Sequence, residues 1–221
     1  MMKYLRQFKD LGFGSITARW YDRNSREHRI GELRSYAEEI ARSLRGKGTV
    51  LEIAPGPGYL AIELAKMGPY KIVGLDISKE FVEIARANAE KAGVNVEFHR
   101  GNVSSIPFSS DEFDFIVCTA AFKNFKEPLK AVSEMYRVMR HGAKALIIDL
   151  DRNVSHRELE GLVKGMGVKG IEAVFMKWTF KYFLRQGAYS EKEFADVISR
   201  SEFGTGIIKK NGVSLYVYLQ K

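Results

Sequence analysis

The sequence predicts an α/β fold: a doubly wound sheet of about seven strands, mostly parallel, ending in a C-terminal antiparallel hairpin. Three observations carry that expectation. Short apolar, β-branched runs alternate with helical patterns from Thr49 to Leu150. The first run ends in the turn Pro55-Gly56-Pro57-Gly58, and the last two runs are separated by Asn211-Gly212. Helices between successive strands imply parallel pairing with right-handed crossovers, whereas Asn-Gly between two strands is a type I′ hairpin signal.

The elements follow in order. Ser35 to Arg45 spaces Tyr36, Ile40 and Leu44 four residues apart, the period of an amphipathic helix. Thr49 to Ala54, with Val50 and Ile53 β-branched, reads as a buried strand, and the Gly-Pro turn then opens a helix from about Tyr59 to Met67. Lys71 to Ile77 repeats the strand pattern with Asp76 near its end. Ser78 caps a helix running to about Ala92, which Gly93 closes. Val94 to His99 is the third strand and Phe113 to Cys118 the fourth. Pro128 opens a helix to Met139, with Gly142 beyond its end and the fifth strand at Ala143 to Leu150. Gly206 to Lys210 and Val213 to Gln220 form the hairpin.

A length of 221 residues, 45% of them hydrophobic and 28% charged, suits one domain with a full core and excludes disorder, collagen-like repeats and small disulfide scaffolds. The single cysteine, Cys118, has no internal partner for a disulfide. Lys3, Arg6, Lys9, Asp10 and Arg19 interrupt the apolar positions of the first twenty residues, and no run reaches the roughly 18 apolar residues of a membrane span. The expectation is a cytoplasmic protein without a transmembrane segment.

The net charge of +8 is unevenly placed. Residues 1–50 hold 11 Lys and Arg against 6 Asp and Glu, residues 51–150 hold 12 against 13, and residues 151–221 hold 12 against 8. Basic flanks around a neutral centre fit a polyanion-binding surface. They also fit solvated charge on a heat-adapted surface, which three glutamines and one cysteine suit as well.

The stretch Val50-Leu51-Glu52-Ile53-Ala54-Pro55-Gly56-Pro57-Gly58, Asp76, Gly101-Asn102-Val103 and the terminal hairpin together resemble the class I S-adenosylmethionine-dependent methyltransferases. Ile106-Pro107-Phe108, Phe113-Asp114-Phe115-Ile116-Val117 and Glu134-Met135-Tyr136-Arg137-Val138-Met139-Arg140 are similar to the small-molecule branch containing the quinone-biosynthesis C-methyltransferases (methyltransferase type 11). The resemblance implies a Rossmann-like sheet, S-adenosyl-L-methionine as cofactor with S-adenosyl-L-homocysteine as product, and one methyltransferase domain over residues 1–221. Within it, residues 1–34 are expected to form an N-terminal lid and 35–150 the cofactor-binding core. Residues 151–187 are expected to be a substrate-side helical insertion, and 188–221 a C-terminal helix and β-hairpin.

The cofactor's chemistry matches these residues. Gly56 and Gly58 allow close backbone approach outside the carboxyl ends of the strands, and the amides of the following helix start suit a carboxylate. By resemblance, Glu52 helps hold the methionine end, Asp76 accepts both ribose hydroxyls and Asn102 accepts from the adenine amino group. Ile77, Val103 and Thr119 join them on the cofactor side, and Tyr21 belongs to the lid. Two positions depart from the family pattern: Ala54 replaces a glycine and Asn102 an aspartate. Gly56-x-Gly58-x-x-Ala61 with Asp76 also fits a dinucleotide-binding fingerprint loosely, but Pro55 and Pro57 remove amides that a pyrophosphate needs. A nicotinamide-type oxidoreductase is therefore the lesser reading.

For the methyl acceptor, the sequence mainly removes candidates. Cys118-Thr119-Ala120-Ala121-Phe122 lacks the Asn/Asp-Pro-Pro-aromatic signature of nucleic-acid amino-methylating enzymes. The acidic magnesium ligands of catechol-type enzymes are missing, and His28, His99, His141 and His156 lack metal spacing, so no metal is expected. A lone cysteine at a strand end reads as a small buried hydrophobe rather than a nucleophile. His28 is a candidate base whose surface reading outweighs it, and Arg19 and Phe122 are candidate substrate-side residues. Ile171 to Leu184 is apolar nearly all round as a helix and carries Trp178, a candidate for an aromatic acceptor wall or a plain cover helix. The expected reaction is direct displacement onto a small aromatic, apolar or anionic acceptor. The alternatives are an RNA (tRNA or rRNA) methyltransferase using the basic flanks, and a non-catalytic cofactor-binding module. An oligomer remains compatible with the sequence.

Overall fold

The computed structural model of the chain describes residues 15–165 and 187–221. Helix α1 (Ser15–His28) and α2 (Ile30–Leu44) precede β1 (Thr49–Ile53). Then come α3 (Tyr59–Ala65), β2 (Lys71–Asp76), α4 (Lys79–Ala92), β3 (Glu97–Arg100) and β4 (Phe113–Thr119). A short 3-10 turn at Phe122–Asn124 leads to α5 (Pro128–Val138), β5 (Met139–Leu150) and α6 (His156–Gly165). Helix α7 (Glu191–Ser199), β6 (Ile207–Asn211) and β7 (Ser214–Gln220) complete the described elements.

The seven strands form one sheet in the order β3-β2-β1-β4-β5-β7-β6. β1 to β5 run parallel, and β7 lies antiparallel between β5 and β6. Both faces of the central strands are apolar, as a parallel sheet covered on both sides requires. Alternate residues divide between them. Leu51, Ile53, Ile116, Cys118 and Ile147 pack with α5 and α7, and Val50, Ile72, Val117, Leu146 and Ile148 pack with α2, α3 and α4. Ser78 caps α4 by accepting the Phe81 amide at 3.3 Å, and Gly93 closes the helix as the sequence implied. Among the described residues, no helix is long and apolar enough to cross a membrane.

Several boundaries differ from expectation. Helix α2 begins at Ile30, ahead of Ser35, because it continues from α1 with one residue, Arg29, between them. β3 starts at Glu97 rather than Val94. Helix α5 passes directly into β5, so Gly142 lies inside the strand. There it belongs to a bulge: the register steps from Phe113↔Met139 to Phe115↔Lys144. The hairpin turn is also not type I′. Asn211 pairs with Ser214, leaving Gly212-Val213 as the loop, and only Gly212 has positive φ (56°), the φ pattern of a type II′ turn. The expected helix Ile171–Leu184, with Trp178, lies outside the described residues.

Candidate functional site

In the order β3-β2-β1-β4-β5, successive connections lead outward from β1 and then return to β4, so the crevice between the carboxyl ends of β1 and β4 is the switch point where open α/β sheets bind ligands. Both strands leave the sheet there through an alanine in the left-handed region: Ala54 has φ 53° and Ala120 φ 57°. Each amide still pairs with the neighbouring strand, Ala54 N donating to Leu75 O at 2.8 Å and Ala120 N to Ile148 O at 2.7 Å. A non-glycine residue costs about 1–2 kcal/mol in that conformation, so the surrounding hydrogen bonds hold two strained turns beside the crevice.

Two buried carboxylates organise the β1 side. Asp76, at the end of β2, accepts the Gly56 amide on Oδ2 at 3.0 Å and the Ser78 amide on Oδ1 at 2.9 Å, tying the glycine turn to the next strand. Burial raises its pKa against the lowering effect of those amides. Glu52 accepts the Ala61 amide at 3.0 Å, and burial, with a smaller push from Asp76, moves its carboxyl up to about 8. Sequence reasoning assigned the α3 amides to a ligand carboxylate. At Ala61 the chain's own Glu52 has taken that position.

The glycines of the turn divide their work. A Cβ on Gly56 (φ 55°) would meet only the Tyr21 ring, at 3.6 Å, so this glycine faces the open side of the turn. A Cβ on Gly58 (φ 81°) would lie 2.8 Å from Phe98 and 3.0 Å from Ala85. Gly58 therefore serves the packing of α3 against α4 and β3, which corrects the expectation that both glycines admit a ligand.

Helix α1 covers the turn. The Tyr21 ring packs edge-on against Phe81 of α4, and its hydroxyl accepts from Arg29 Nη1 at 3.0 Å. Asp22 accepts from the Tyr59 hydroxyl at 2.8 Å and from Asn88 at 2.9 Å, and Asn88 also donates to Pro57 O. Arg19 and His28 lie exposed on the same helix, His28 with Glu27 at 3.9 Å.

After β3, Asn102 Oδ1 accepts the Ser104 amide at 2.8 Å, capping its own loop. Val103 is buried in the core, Ile77 is half-buried, and Arg100 Nε donates to Ile77 O at 3.3 Å. Thr119 ends β4 half-buried. Cys118 is fully buried, and burial raises its thiol well above the ordinary range, so it packs as an apolar side chain. Phe122 is a correction: the 3-10 turn directs it inward against Phe125, Tyr189 and Phe194, where it is fully buried core. Among the described residues, no three His, Cys, Asp or Glu side chains gather as a metal site would need.

The sequence reading missed a buried ion pair beside β4. Lys123 Nζ donates to Asp149 Oδ1 at 2.9 Å and to Ala120 O, while the Lys123 amide donates to Asp149 Oδ2 at 2.8 Å. The pair thus clamps the left-handed Ala120. A lone aspartate in the apolar run Ala145 to Leu150 was its visible signal.

Comparison with known proteins agrees with this geometry. Residues 50–142 match the family model described as "Methyltransferase domain". The uncharacterized methyltransferase YcgJ of Bacillus subtilis is 34% identical over 158 residues, 66% of this chain and 60% of that one. The demethylmenaquinone methyltransferase of Deinococcus radiodurans is 32% identical over 143 residues, 62% of this chain and 58% of that one. The chain thus spans about 60% of the length of these curated relatives. Among solved structures, a candidate S-adenosyl-L-methionine-dependent methyltransferase from Methanococcus maripaludis superposes with a TM-score of 0.80 at 24% identity, covering 96% of this chain and 94% of that one. One from Aquifex aeolicus gives 0.69 at 24%, covering 94% and 98%. The family match begins in β1 and ends in β5, and with the sheet order it shows a methyltransferase-type core similar to that of S-adenosylmethionine-dependent methyltransferases.

Proposed function

We propose that the protein methylates a small aromatic or apolar acceptor from S-adenosylmethionine. The observation that carries this reading is Asp76. It is a buried carboxylate at the tip of β2 whose two oxygens face the Gly56, Ser78 and Ile77 amides and keep acceptor capacity for a ribose diol beside the open face of Gly56. When bound, the cofactor supplies a methyl already activated on a sulfonium.

On this reading the chain's own residues bind, orient and exclude water. Asp76 with Ile77 holds the ribose, and Asn102 and Val103 border the adenine. Glu52 sits at the methionine end, and α1 with Tyr21 covers the glycine turn as a lid. Thr119 and the clamped Ala120 turn form the acceptor-side border of the crevice. Support for a flat, quinone-like acceptor comes from the names of relatives such as the demethylmenaquinone methyltransferase.

Calorimetry with S-adenosylhomocysteine tests the cofactor site. Asp76→Ala and Gly56→Val are each expected to abolish binding while the fold persists, and undiminished binding in both sinks the assignment. Labelled cofactor incubated with separated small-molecule and RNA fractions of a cell extract tests the acceptor. The exposed row Arg19, Arg23 and Arg26 on α1 supports an RNA substrate as the second reading. It predicts label in RNA and an affinity that falls steeply with salt. Reversing those three charges then impairs turnover more than cofactor binding.

A further inference from the structure

We propose that Arg29, assisted by the Ser25 hydroxyl, reads the carboxylate of the cofactor's amino-acid tail, so that the lid discriminates between ligands with and without that tail. The inference rests on the cofactor reading above and assigns to it a residue outside the family motifs.

The first argument is charge. S-adenosylhomocysteine and its methylated parent carry an α-carboxylate, and the glycine turn offers it little. Glu52 has taken the Ala61 amide, and the Gly58 amide donates to Pro55 O at 3.0 Å. Both buried side chains below the turn, Glu52 and Asp76, are themselves acidic. An anionic tail therefore needs a cation from another element, and the guanidinium whose charge acts on Glu52 is that of Arg29.

The second argument is position. Arg29 joins α1 to α2, and its amide donates to Ser25 O at 2.9 Å, which keeps it in helical register. Tyr21, Ser25 and Arg29 are spaced four apart and share one helix face. The Arg29 Nη1 atom reaches the Tyr21 hydroxyl, and the Tyr21 ring stands 3.6 Å from where a Gly56 Cβ would be. The guanidinium is thus held at the hydroxyl of the ring that borders the open side of the turn.

The third argument is unused bonding capacity. Arg29 spends Nε on Glu32 at 3.1 Å and one Nη1 hydrogen on Tyr21. Of its five N–H donors, the rest have no partner among the described residues. Ser25 Oγ is buried and likewise without a partner there. Glu32 is held in turn by the Tyr36 hydroxyl at 2.6 Å, and Tyr36 accepts from Tyr216 at 3.2 Å, so the guanidinium is braced against β7. A braced cation with spare donors, one helical turn from an orphan buried hydroxyl, is complementary to a carboxylate.

The test compares S-adenosylhomocysteine with 5′-methylthioadenosine, which keeps adenine, ribose and thioether but lacks the amino-acid tail. Arg29→Met is expected to weaken S-adenosylhomocysteine roughly 10- to 100-fold, the worth of a charged hydrogen-bonded contact, and to leave methylthioadenosine within about twofold. Ser25→Ala, a gentle change, is expected to weaken the first ligand a few-fold and not the second. Asp76→Asn weakens both. If the Arg29 and Ser25 variants weaken both ligands alike, or neither, the proposal is overturned and Arg29 only braces the helices. If the unaltered protein binds neither ligand, the cofactor reading fails first, which is a distinguishable result.

Discussion

Two carboxylates with the same burial, 2% exposed each, stand on opposite sides of the switch point: Glu52 on β1 and Asp149 on β5. Asp149 has its cation in contact and receives three donors, from Lys123 Nζ, the Lys123 amide and the Leu150 amide, while the same ammonium also donates to Ala120 O. Among the described residues, Glu52 has one amide and no cation in contact. The β5 side is therefore electrostatically complete by itself. The β1 side keeps a buried acid that is short of partners, which fits a place where a cationic ligand is to bind.

The largest way to break this contrast is to remove Asp149. Asp149→Ala strands Lys123 in the interior and is expected to cost about 3–5 kcal/mol in urea unfolding, whereas Lys123→Met with Asp149→Leu together restores most of it. A loss below about 1 kcal/mol in the single variant would show that Lys123 escapes to solvent and that the two sides are alike after all.

The next effect belongs to Glu52. Its carboxyl is raised from 4.5 to about 8 chiefly by burial, so the folded chain keeps a proton that the unfolded chain releases. Stability from this group is fully present below pH 4.5 and is lost as pH rises through about 8. Glu52→Gln removes that slope, and the gap between variant and parent should grow in the variant's favour by on the order of 3 kcal/mol from pH 4.5 to 8.5. Urea unfolding at several pH values measures it, and parallel pH profiles for the two proteins would place Glu52 in contact with solvent or a cation.

How much of this was legible beforehand depends on what kind of signal each feature leaves. Pro55-Gly56-Pro57-Gly58 announces a turn because those residues have few other uses, and Asp76 follows from strand length. The doubly wound, mostly parallel sheet was readable because alternating elements allow few topologies. Ala120 makes as sharp a turn as Ala54 but is followed by no glycine, so nothing in Thr119-Ala120-Ala121 marks it. Nothing in the sequence marks Lys123 or Arg29, because long basic side chains usually lie at the surface. Phe122 was misplaced because an aromatic after a strand end gives no direction. Only the 3-10 turn, set by tertiary contacts, sends it into the core.

Gly56 and Gly58 show the same limit within one turn. Identical letters hide different roles because the atoms that distinguish them, Phe98 and Ala85, come from β3 and α4. Gly58→Ala is expected to cost about 2–3 kcal/mol, from strain at positive φ and a methyl pressed against a ring. Gly56→Ala should cost only about 1 kcal/mol of stability, its larger effect falling on cofactor affinity. Thermal melts beside calorimetry separate the two, and equal losses of stability would erase the distinction.

The smallest expected effect sharpens the comparison of the two strand ends. Ala54 and Ala120 share a left-handed φ and an amide bonded to the next strand, so glycine at either site relieves similar local strain. The relief of about 1–2 kcal/mol is partly offset by glycine's extra freedom in the unfolded chain, leaving a net gain of about 0.5–1 kcal/mol. The difference between them should appear in function. Ala120 is clamped through its carbonyl by Lys123, so Ala120→Gly should leave the crevice geometry and the turnover unchanged. Ala54 relies on the turn that follows it, and added freedom there should loosen Gly56 from Asp76 and weaken S-adenosylhomocysteine by a few-fold in calorimetry. If instead Ala120→Gly is the variant that lowers turnover, the clamp does not fix that strand end, and the completeness assigned to the β5 side is wrong.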